Sequence, residues 1–225
     1  PFFDPQPREW VNMGVQADNL AGEYFITTGG KFFRNVEPDP VHSIGIVEIN
    51  DKGDSWRIVW GLEDGAKPTS EFPSHFMNTA SAKQLPMAQT VLSTLHATNV
   101  IALTYILPLT DRDFTRALWQ SATECPVVFP EGVGVWPVDG AAGQTLHGYQ
   151  RADEDLSGRH LGTARSVCLR PGFDITFGLA HTIEKSAEIY VKVLSMGGGI
   201  IGNITDDLRA IARDFGVTLN EKFLN

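Results

Sequence analysis

Two stretches of the chain carry residue types that could do chemistry. PTSEFPSHF places Glu71 beside the hydroxyls of Thr69 and Ser70, and LHATNVIALT contains His96. A carboxylate beside hydroxyls and backbone amides can transfer protons and hold an anion, and an imidazole can bind a metal. A catalytic zinc normally takes three protein ligands, so one histidine does not by itself make a metal site.

Each of these features also has a structural interpretation. Thr69 or Ser70 could cap a helix whose first turn carries an exposed Glu71. His96 could satisfy its ring nitrogens beside the apolar run that follows it, without binding a metal. Glu124, in SATECPVVFP, is either a capping residue or an acid directed into a site. Spacing alone does not decide between these interpretations.

The segment TTGGK could bind a phosphate group. It brings Gly29 and Gly30 to the end of a predicted strand, where bare backbone amides can approach an anion. A plain turn is the alternative, because the segment lacks the spacing of a P-loop.

Composition limits the function classes. The chain has 225 residues, with 18 basic and 27 acidic side chains and a formal charge of -9, which argues against a nucleic-acid partner or an anionic membrane surface. No apolar run approaches the roughly 20 residues that span a bilayer. Cys125 and Cys168 are widely spaced, which favours a reducing, cytoplasmic compartment. Because the chain begins with Pro1, we expect an N-terminally truncated protein.

Strand signals dominate the first part of the chain. EYFITTGGKFF predicts a strand that enters a glycine turn, and SIGIVEIN with SWRIVWGL predicts a hairpin around DKGD. NVIALTYILPL is typical of a buried helix or a strand edge, and ECPVVFPEGVGVW of a core strand closed by a glycine turn.

Helix signals follow, after a stretch without periodicity. Residues 139–172 predict a long loop. Asp174 is then expected to cap a helix that SMGGG ends, and Thr205 to cap a last helix that Gly216 closes. The apolar stripe of the first of these helices comprises Phe177, Ile183, Ala187, Val191 and Leu194. The mixture of elements favours one layered α/β domain over residues 1–225.

The longer motifs resemble one known family. TGGKFFRNV, WGLEDGAKPTSEFPSHF, LHATNVIALTYIL, FTRALWQSATECPVVFPEGVG and TFGLAHTIEKSAEIYVKVLSMGG are similar to the L-rhamnulose-1-phosphate aldolases, which are class II, zinc-dependent aldolases. These motifs cover most of residues 22–217. The resemblance implies a class II aldolase/adducin-like α/β/α domain with a central, largely antiparallel sheet, assembled as a homotetramer.

The resemblance also implies a reaction and roles for single residues. L-rhamnulose 1-phosphate would be cleaved to dihydroxyacetone phosphate and L-lactaldehyde, with Zn²⁺ polarising the ketone and stabilising the enediolate. Glu71 matches the catalytic acid/base of the family, and Thr69 and Ser70 match residues that line the dihydroxyacetone phosphate site. Glu124 matches a carboxylate that reaches the active site of a neighbouring subunit.

The chain departs from the family at its metal and phosphate ligands. The family's zinc site is an HxH pair with a third histidine in an HGVF stretch. Here Thr94 occupies the first position, His96 the second, and HGVF is missing from the sequence. Gly29 stands where the family has a phosphate-binding serine. We therefore expect the chain to bind zinc poorly.

A compensated frameshift would explain the missing histidines. Read one base out of frame, Pro137 to Ala142 can spell PWMVP and Leu161 to Phe173 can spell WAPHGVFASGPD, with the lost histidine arising across Ala164 and Arg165. In the other frame, Asn78 to Ser93 can spell the family-like HCER, TNG and DRVI in order. We therefore expect residues 79–93 and 137–172 to pack poorly.

Two further functions stay open from the sequence. Another sugar-phosphate aldolase or 4-epimerase of the superfamily would share the retro-aldol chemistry. A metal-free scaffold on the same fold, as in adducin-like domains, would not be an enzyme. The TGGKFFRNV and FTRALW motifs favour rhamnulose phosphate as the substrate.

Overall fold

The computed structural model of the protein describes residues 8–12, 21–62, 65–69, 72, 75, 91–136, 159–162, 166–170, 172–199 and 202–224. The chain divides into two units, Pro1–Ala80 and Ser81–Asn225. The organisation as one domain over residues 1–225 stays a prediction. Within the described residues, no helix combines the length and the apolar content needed to cross a membrane.

The first unit is built on a four-stranded antiparallel sheet. Its strands are β1 (Val11–Asn12), β2 (Gly22–Thr27), β3 (Ile44–Ile49) and β4 (Ser55–Gly61), in the order β1-β4-β3-β2. Along β3, burial alternates residue by residue, and Val47 and Ile49 lie in the core with Ile58 of β4. The predicted hairpin and the predicted strand before the glycine turn are therefore confirmed.

Two short helices join β2 to β3. They are α1 (Phe33–Val36) and α2 (Pro40–Ser43). The side-chain oxygen of Asn35 accepts a hydrogen bond from the backbone N–H of Phe32 over 2.8 Å at the start of α1. Pro40 lies in the first turn of α2, where its missing N–H costs no helical hydrogen bond.

The second unit contains a second sheet of four strands. These are β5 (Val91–Leu95), β6 (Gly134–Trp136), β7 (Arg159–Gly162) and β8 (Ser166–Arg170), in the order β5-β8-β7-β6. The β6/β7 pair is parallel and the other two pairs are antiparallel. The predicted loop over residues 139–172 is wrong at β7 and β8, and its other residues, except Gly172, lie outside the described part of the chain.

Helices and a short 3-10 turn complete the second unit. They are α3 (Thr98–Leu103), α4 (Asp111–Ser121), α5 (Cys125–Val128), α6 (Phe173–Ser195), α7 (Thr205–Asp214) and the 3-10 turn Glu221–Phe223. Trp119 of α4 is fully buried and meets the ring of Phe223 edge-on, with centroids 5.9 Å apart. This apolar core fixes α4, α6 and the C-terminal turn against one another.

The predicted strand over ECPVVFPEGVGVW is wrong in its first half. Cys125–Val128 forms the helical turn α5, and the strand is limited to Gly134–Trp136. Pro126 stands in the first turn of α5, where a helix tolerates proline because that N–H would have no helical partner. The apolar content of the segment is therefore shared between a helical turn and a strand.

The limits of α6 and α7 differ by one or two residues from the prediction. Gly172 is the N-cap of α6 and Asp174 lies in its first turn, while Thr205 is the first residue of α7. Ile183 and Ala187 are buried as predicted, but the side chain of Phe177 is 71% exposed and does not belong to the buried stripe. Gly197 and Gly216 follow the two helices with positive φ, as helix-ending glycines do.

Candidate active site

The glycine turn of the first unit lies against the segment that leads to Glu71. The backbone N–H of Gly29 donates to the carbonyl of Lys67 over 3.0 Å, and that of Thr69 donates to the carbonyl of Thr27 over 2.9 Å. The structure therefore brings together Gly29 and Thr69, two of the residues expected at the phosphate end of the substrate. The Gly29 amide is bonded within the protein, so it is not a free donor for an anion.

Thr28 ties this turn to helix α2. It is buried, its hydroxyl donates to the carbonyl of His42 over 3.0 Å, and its N–H donates to the carbonyl of Ser43 over 2.9 Å. The ring nitrogen Nδ1 of His42 lies 2.8 Å from Oδ1 of Asp39. The turn is thus held from two sides, by residues 67–69 and by α2.

Ser70 and Glu71 lie outside the described residues, but their neighbours in sequence are well anchored. Phe72 is buried, its N–H donates to the carbonyl of Thr69 over 2.9 Å, and its ring meets that of Trp56 with centroids 5.9 Å apart. Burial lowers the pKa of His75 to about 4, so this histidine stays largely neutral down to about pH 5.

His96 follows directly after β5 in the second unit. It is exposed and stands two residues before α3. Thr94, at the first ligand position of the family motif, pairs with Val167 of β8, which in turn pairs with His160 of β7. The backbone therefore aligns Thr94 and His160 on the two strands that flank β8, with Cα atoms roughly 10 Å apart.

The described residues do not make a zinc site. Among them, no three His, Cys, Asp or Glu side chains are grouped so that they could hold a metal ion. Of the family's ligand set they contain His96, while Thr94 offers a neutral hydroxyl in place of an imidazole. A closed or catalytic zinc site needs at least three protein ligands, so this set does not fit the metal.

The start of α3, just after His96, is bound by a residue that sequence reasoning missed. Oε1 of Glu184 accepts from the backbone N–H and the side-chain Nδ2 of Asn99, over 3.0 and 2.8 Å. Oε2 accepts from the N–H of Val100 over 3.1 Å. The signal in the sequence that could have identified Glu184 is its place next to Ile183, which lies on the inward-packing face of α6.

Glu124 is paired with a lysine of its own chain. It is the N-cap residue of α5, but its side chain makes no capping hydrogen bond. Instead its carboxylate forms an ion pair with Nζ of Lys185, and both side chains are about half exposed. The side chain of Glu124 therefore does not cap α5, and its role in a site stays a prediction.

The next residue, Cys125, is not a nucleophile. Its Sγ lies 2.7 Å from Oγ of Ser186 in the core. Burial raises the pKa of the Cys125 thiol to about 12, and the hydrogen bond to Ser186 offsets only part of that effect. The thiol is protonated at neutral pH and fixes α5 against α6.

Comparison with known proteins identifies the fold first. No family model matches the chain. A sugar-phosphate aldolase from Thermotoga maritima superposes with a TM-score of 0.69 at 22% identity, over 84% of this chain and 79% of that one. An L-fuculose 1-phosphate aldolase gives 0.55 at 15% identity, over 89% and 84%. The chain thus has the α/β fold of the class II sugar-phosphate aldolases, and the predicted fold class is confirmed.

Curated relatives then identify the family. Proteins named rhamnulose-1-phosphate aldolase from Escherichia coli O157:H7 and Mannheimia succiniciproducens are 44% and 43% identical, over 96% of this chain and 80% of each relative. The protein of that name from Listeria monocytogenes serotype 4b (strain CLIP80459) is 39% identical over the same shares. The chain belongs to the rhamnulose-1-phosphate aldolase family, as the sequence motifs predicted.

Proposed function

We propose that the chain acts on L-rhamnulose 1-phosphate and cleaves it by a retro-aldol reaction into dihydroxyacetone phosphate and L-lactaldehyde. The observation that carries this proposal is the 39–44% identity to proteins named for that substrate, over 96% of the chain. The fold shared with sugar-phosphate aldolases supports the same reaction class.

Cleavage needs a base, an electron sink and a proton donor. The C4 hydroxyl loses its proton, the C3–C4 bond breaks, and its electron pair passes to C3 and the C2 carbonyl as an enediolate, which is then protonated at C3. Glu71 is the acid/base that the family resemblance assigns, and a single carboxylate can move the proton in both steps. Its role is a proposal, since Glu71 lies outside the described residues.

Gly29, Thr69 and Ser70 are assigned to the phosphate end of the substrate site, where Gly29 lines the site and does not donate its N–H. The hydrogen bonds that hold the glycine turn against residues 67–69 support this, because they place Gly29 beside Thr69. Glu124 is assigned to substrate binding, and its half-exposed carboxylate remains accessible beside Lys185.

The zinc site is the part of the family's active site that this chain retains least. Zinc in class II aldolases serves as a Lewis acid for the ketone oxygen. Because Thr94 replaces one histidine ligand and the described residues do not form a site, no step of the cleavage is assigned to a metal here. We propose that His96 is the ligand that remains and that zinc is held weakly.

The test compares the chain with a version carrying Thr94→His, at the first position of the family's HxH pair, and Ala164→His, where the frame hypothesis places the third histidine. We expect low zinc content and slow lactaldehyde release from the chain, and an increase in both after the double substitution. The matched control is Thr110→His, at the exposed N-cap of α4, which should change neither. Zinc uptake without lactaldehyde release would contradict the proposed substrate, and preference for fuculose or ribulose phosphate would favour another aldolase.

We also propose a cytoplasmic homotetramer. It is supported by the family resemblance and by large apolar side chains that α6 leaves exposed, among them Phe173 and Phe177 at 71% each and Ile175 at 58%. Light scattering should give four times the chain mass of 24.7 kDa. Phe177→Ser should lower that mass if this face lies between subunits, whereas the exposed Lys192→Ser should not.

A further inference from the structure

Three consecutive residues of α6 reach the two segments that carry His96 and Glu124. Glu184 binds the start of α3, Lys185 pairs with Glu124, and Ser186 contacts Cys125. Successive residues of a helix point about 100° apart, so one turn of α6 can serve several neighbouring segments. All of these residues lie in the second unit.

The carboxylate of Glu184 binds the start of α3. Helix α3 has six residues, and its N-cap, Ala97, has no side chain that could cap it. The first N–H groups of a helix need partners from elsewhere, and those of Asn99 and Val100 find both oxygens of Glu184. Hydrogen bonds to a charged acceptor are roughly twice as strong as neutral ones. The hydrogen bonding of the first turn of α3 therefore depends on a residue 85 positions away.

His96 is separated from α3 by a single residue, Ala97. The strand β5 fixes the chain before His96, and Glu184 fixes it from Asn99 onwards. The imidazole is exposed, so packing restricts it little. Its position follows from the backbone on either side.

Glu124 is held by Lys185, the residue of α6 that follows Glu184. Its carboxylate meets Lys185, and the backbone after it is fixed by the contact between Cys125 and Ser186 at 2.7 Å. Ile183 and Ala187, on either side of these residues, are buried in the core. The turn of α6 that makes the contacts is thus itself immobilised.

We infer that Glu184 is a positioning residue for His96, and that Lys185 fixes the position of the Glu124 carboxylate. This inference rests on the proposed function for the roles of His96 and Glu124. Glu184 acts on the backbone that carries the imidazole and does not touch substrate. The helical turn Glu184–Ser186 thereby sets two site residues from one rigid element.

The first test follows the backbone amides by hydrogen exchange in the full chain. In Glu184→Gln, the remaining carbonyl oxygen can keep both bonds from Asn99, but the new NH₂ group faces the N–H of Val100. We expect the Val100 amide to exchange at least tenfold faster while Asn99 changes little. In Glu184→Ala both amides should accelerate. The control Glu188→Gln removes a carboxylate from the same helix that pairs with Lys192, and should leave both amides unchanged.

The second test follows the imidazole and the reaction. The ring signal of His96, assigned with His96→Gln in ¹³C-histidine-labelled protein, should shift in Glu184→Ala and stay in place in Glu188→Gln. Turnover of L-rhamnulose 1-phosphate is measured in the Thr94→His, Ala164→His version, in which His96 is expected to hold zinc; there Glu184→Gln should lower kcat about tenfold with KM within twofold. Lys185→Met should raise KM severalfold, and Lys192→Met should not.

The outcomes separate this inference from the proposed function. An unshifted His96 signal, or exchange rates that match the Glu188→Gln control, would overturn the role of Glu184 whatever the activity. If the chain releases no lactaldehyde but the amides and the ring respond as expected, the positioning role stands and the proposed substrate fails. The core variant Ile183→Val is the control for a loss of stability alone. If Glu184→Gln lowers the melting temperature and kcat only as much as Ile183→Val does, the role of Glu184 is structural and the inference is wrong.

Discussion

The backbone N–H of Gly29 donates to the carbonyl of Lys67 over 3.0 Å, which fastens the glycine turn to the segment before Glu71. A Cβ placed at Gly29 would lie 3.4 Å from the carbonyl oxygen of Pro68 and 3.9 Å from Cα of Thr69, both ordinary contacts. The position can therefore take a small side chain without displacing the turn.

The first prediction concerns phosphate affinity. Gly29→Ser should tighten binding of dihydroxyacetone phosphate at least about tenfold, because the new hydroxyl would stand beside Thr69 and a hydrogen bond to a charged group is worth about 1.5–3 kcal/mol. Calorimetry measures the change in Kd. The control is Gly30→Ser, where φ is +75° and a side chain should cost about 1–2 kcal/mol of stability without improving affinity. An unchanged Kd in a folded Gly29→Ser protein would show that the phosphate binds elsewhere.

The second prediction concerns acid stability. Burial lowers the pKa of His75 to about 4, against 6.5 in an unfolded chain, so the unfolded state binds more protons between these values. Stability should therefore fall as the pH drops from 6.5 towards 4, by about 1–2 kcal/mol at pH 5. Urea unfolding of His75→Gln should lack this loss. The exposed His181→Gln should retain it, and an equal loss in both variants would exclude His75 as its source.

The third prediction concerns thiol reactivity. With its pKa raised to about 12, the Cys125 thiol should hold about a thousandfold less thiolate than an ordinary cysteine at any pH below 9. In a Cys168→Ser background, iodoacetamide at pH 8 should leave the native protein unmodified for hours and modify it within minutes in urea. Rapid modification of the native protein would contradict the buried contact with Ser186.

The fourth prediction concerns the gene. In the shifted frame, the last two bases of the Ala164 codon and the first base of the Arg165 codon should form the triplet CAC. The codons from Pro137 to Ala142, translated in the same frame, should give PWMVP. Nucleotide sequencing decides this directly, and any other triplet across Ala164 and Arg165 would refute the hypothesis there. Most of residues 79–93 and 137–172 lie outside the described part of the chain. Residues 91–93, 159–162 and 166–170 form strands.

Sequence patterns predicted those elements whose signal is local. The hairpin of β3 and β4 follows from the period-two alternation that ends in Val47 and Ile49, and the helices α6 and α7 from apolar periodicity and closing glycines. The helical turn α5 was missed because Cys125, Val127 and Val128 are as typical of a strand. Tertiary packing against α6, which no local pattern contains, decides between the two.

The candidate site was predictable only where residues match the family motifs. His96 and Glu124 were candidates by residue type, the family motifs predicted their roles, and the structure adds what holds them. Glu184 and Lys185 could not be assigned from spacing, because they act across 85 and 61 positions of the chain. The contact between Gly29 and Thr69 is likewise non-local, since it depends on backbone pairing between two segments about 40 residues apart.

Glu184 and Asn99, which are joined by hydrogen bonds, lie on either side of the stretch 137–172 in which the reading frame is proposed to be altered. Both partners lie outside residues 137–172, so a shift confined to that stretch would leave the anchor of α3 untouched. On this view the lesion is reversible: a restored reading frame would deliver its histidine to a protein in which the neighbourhood of His96 is already assembled. Two single-base events, one at each end of that stretch, would restore the third histidine without rebuilding the scaffold, while Thr94 and residues 79–93 would need their own repair.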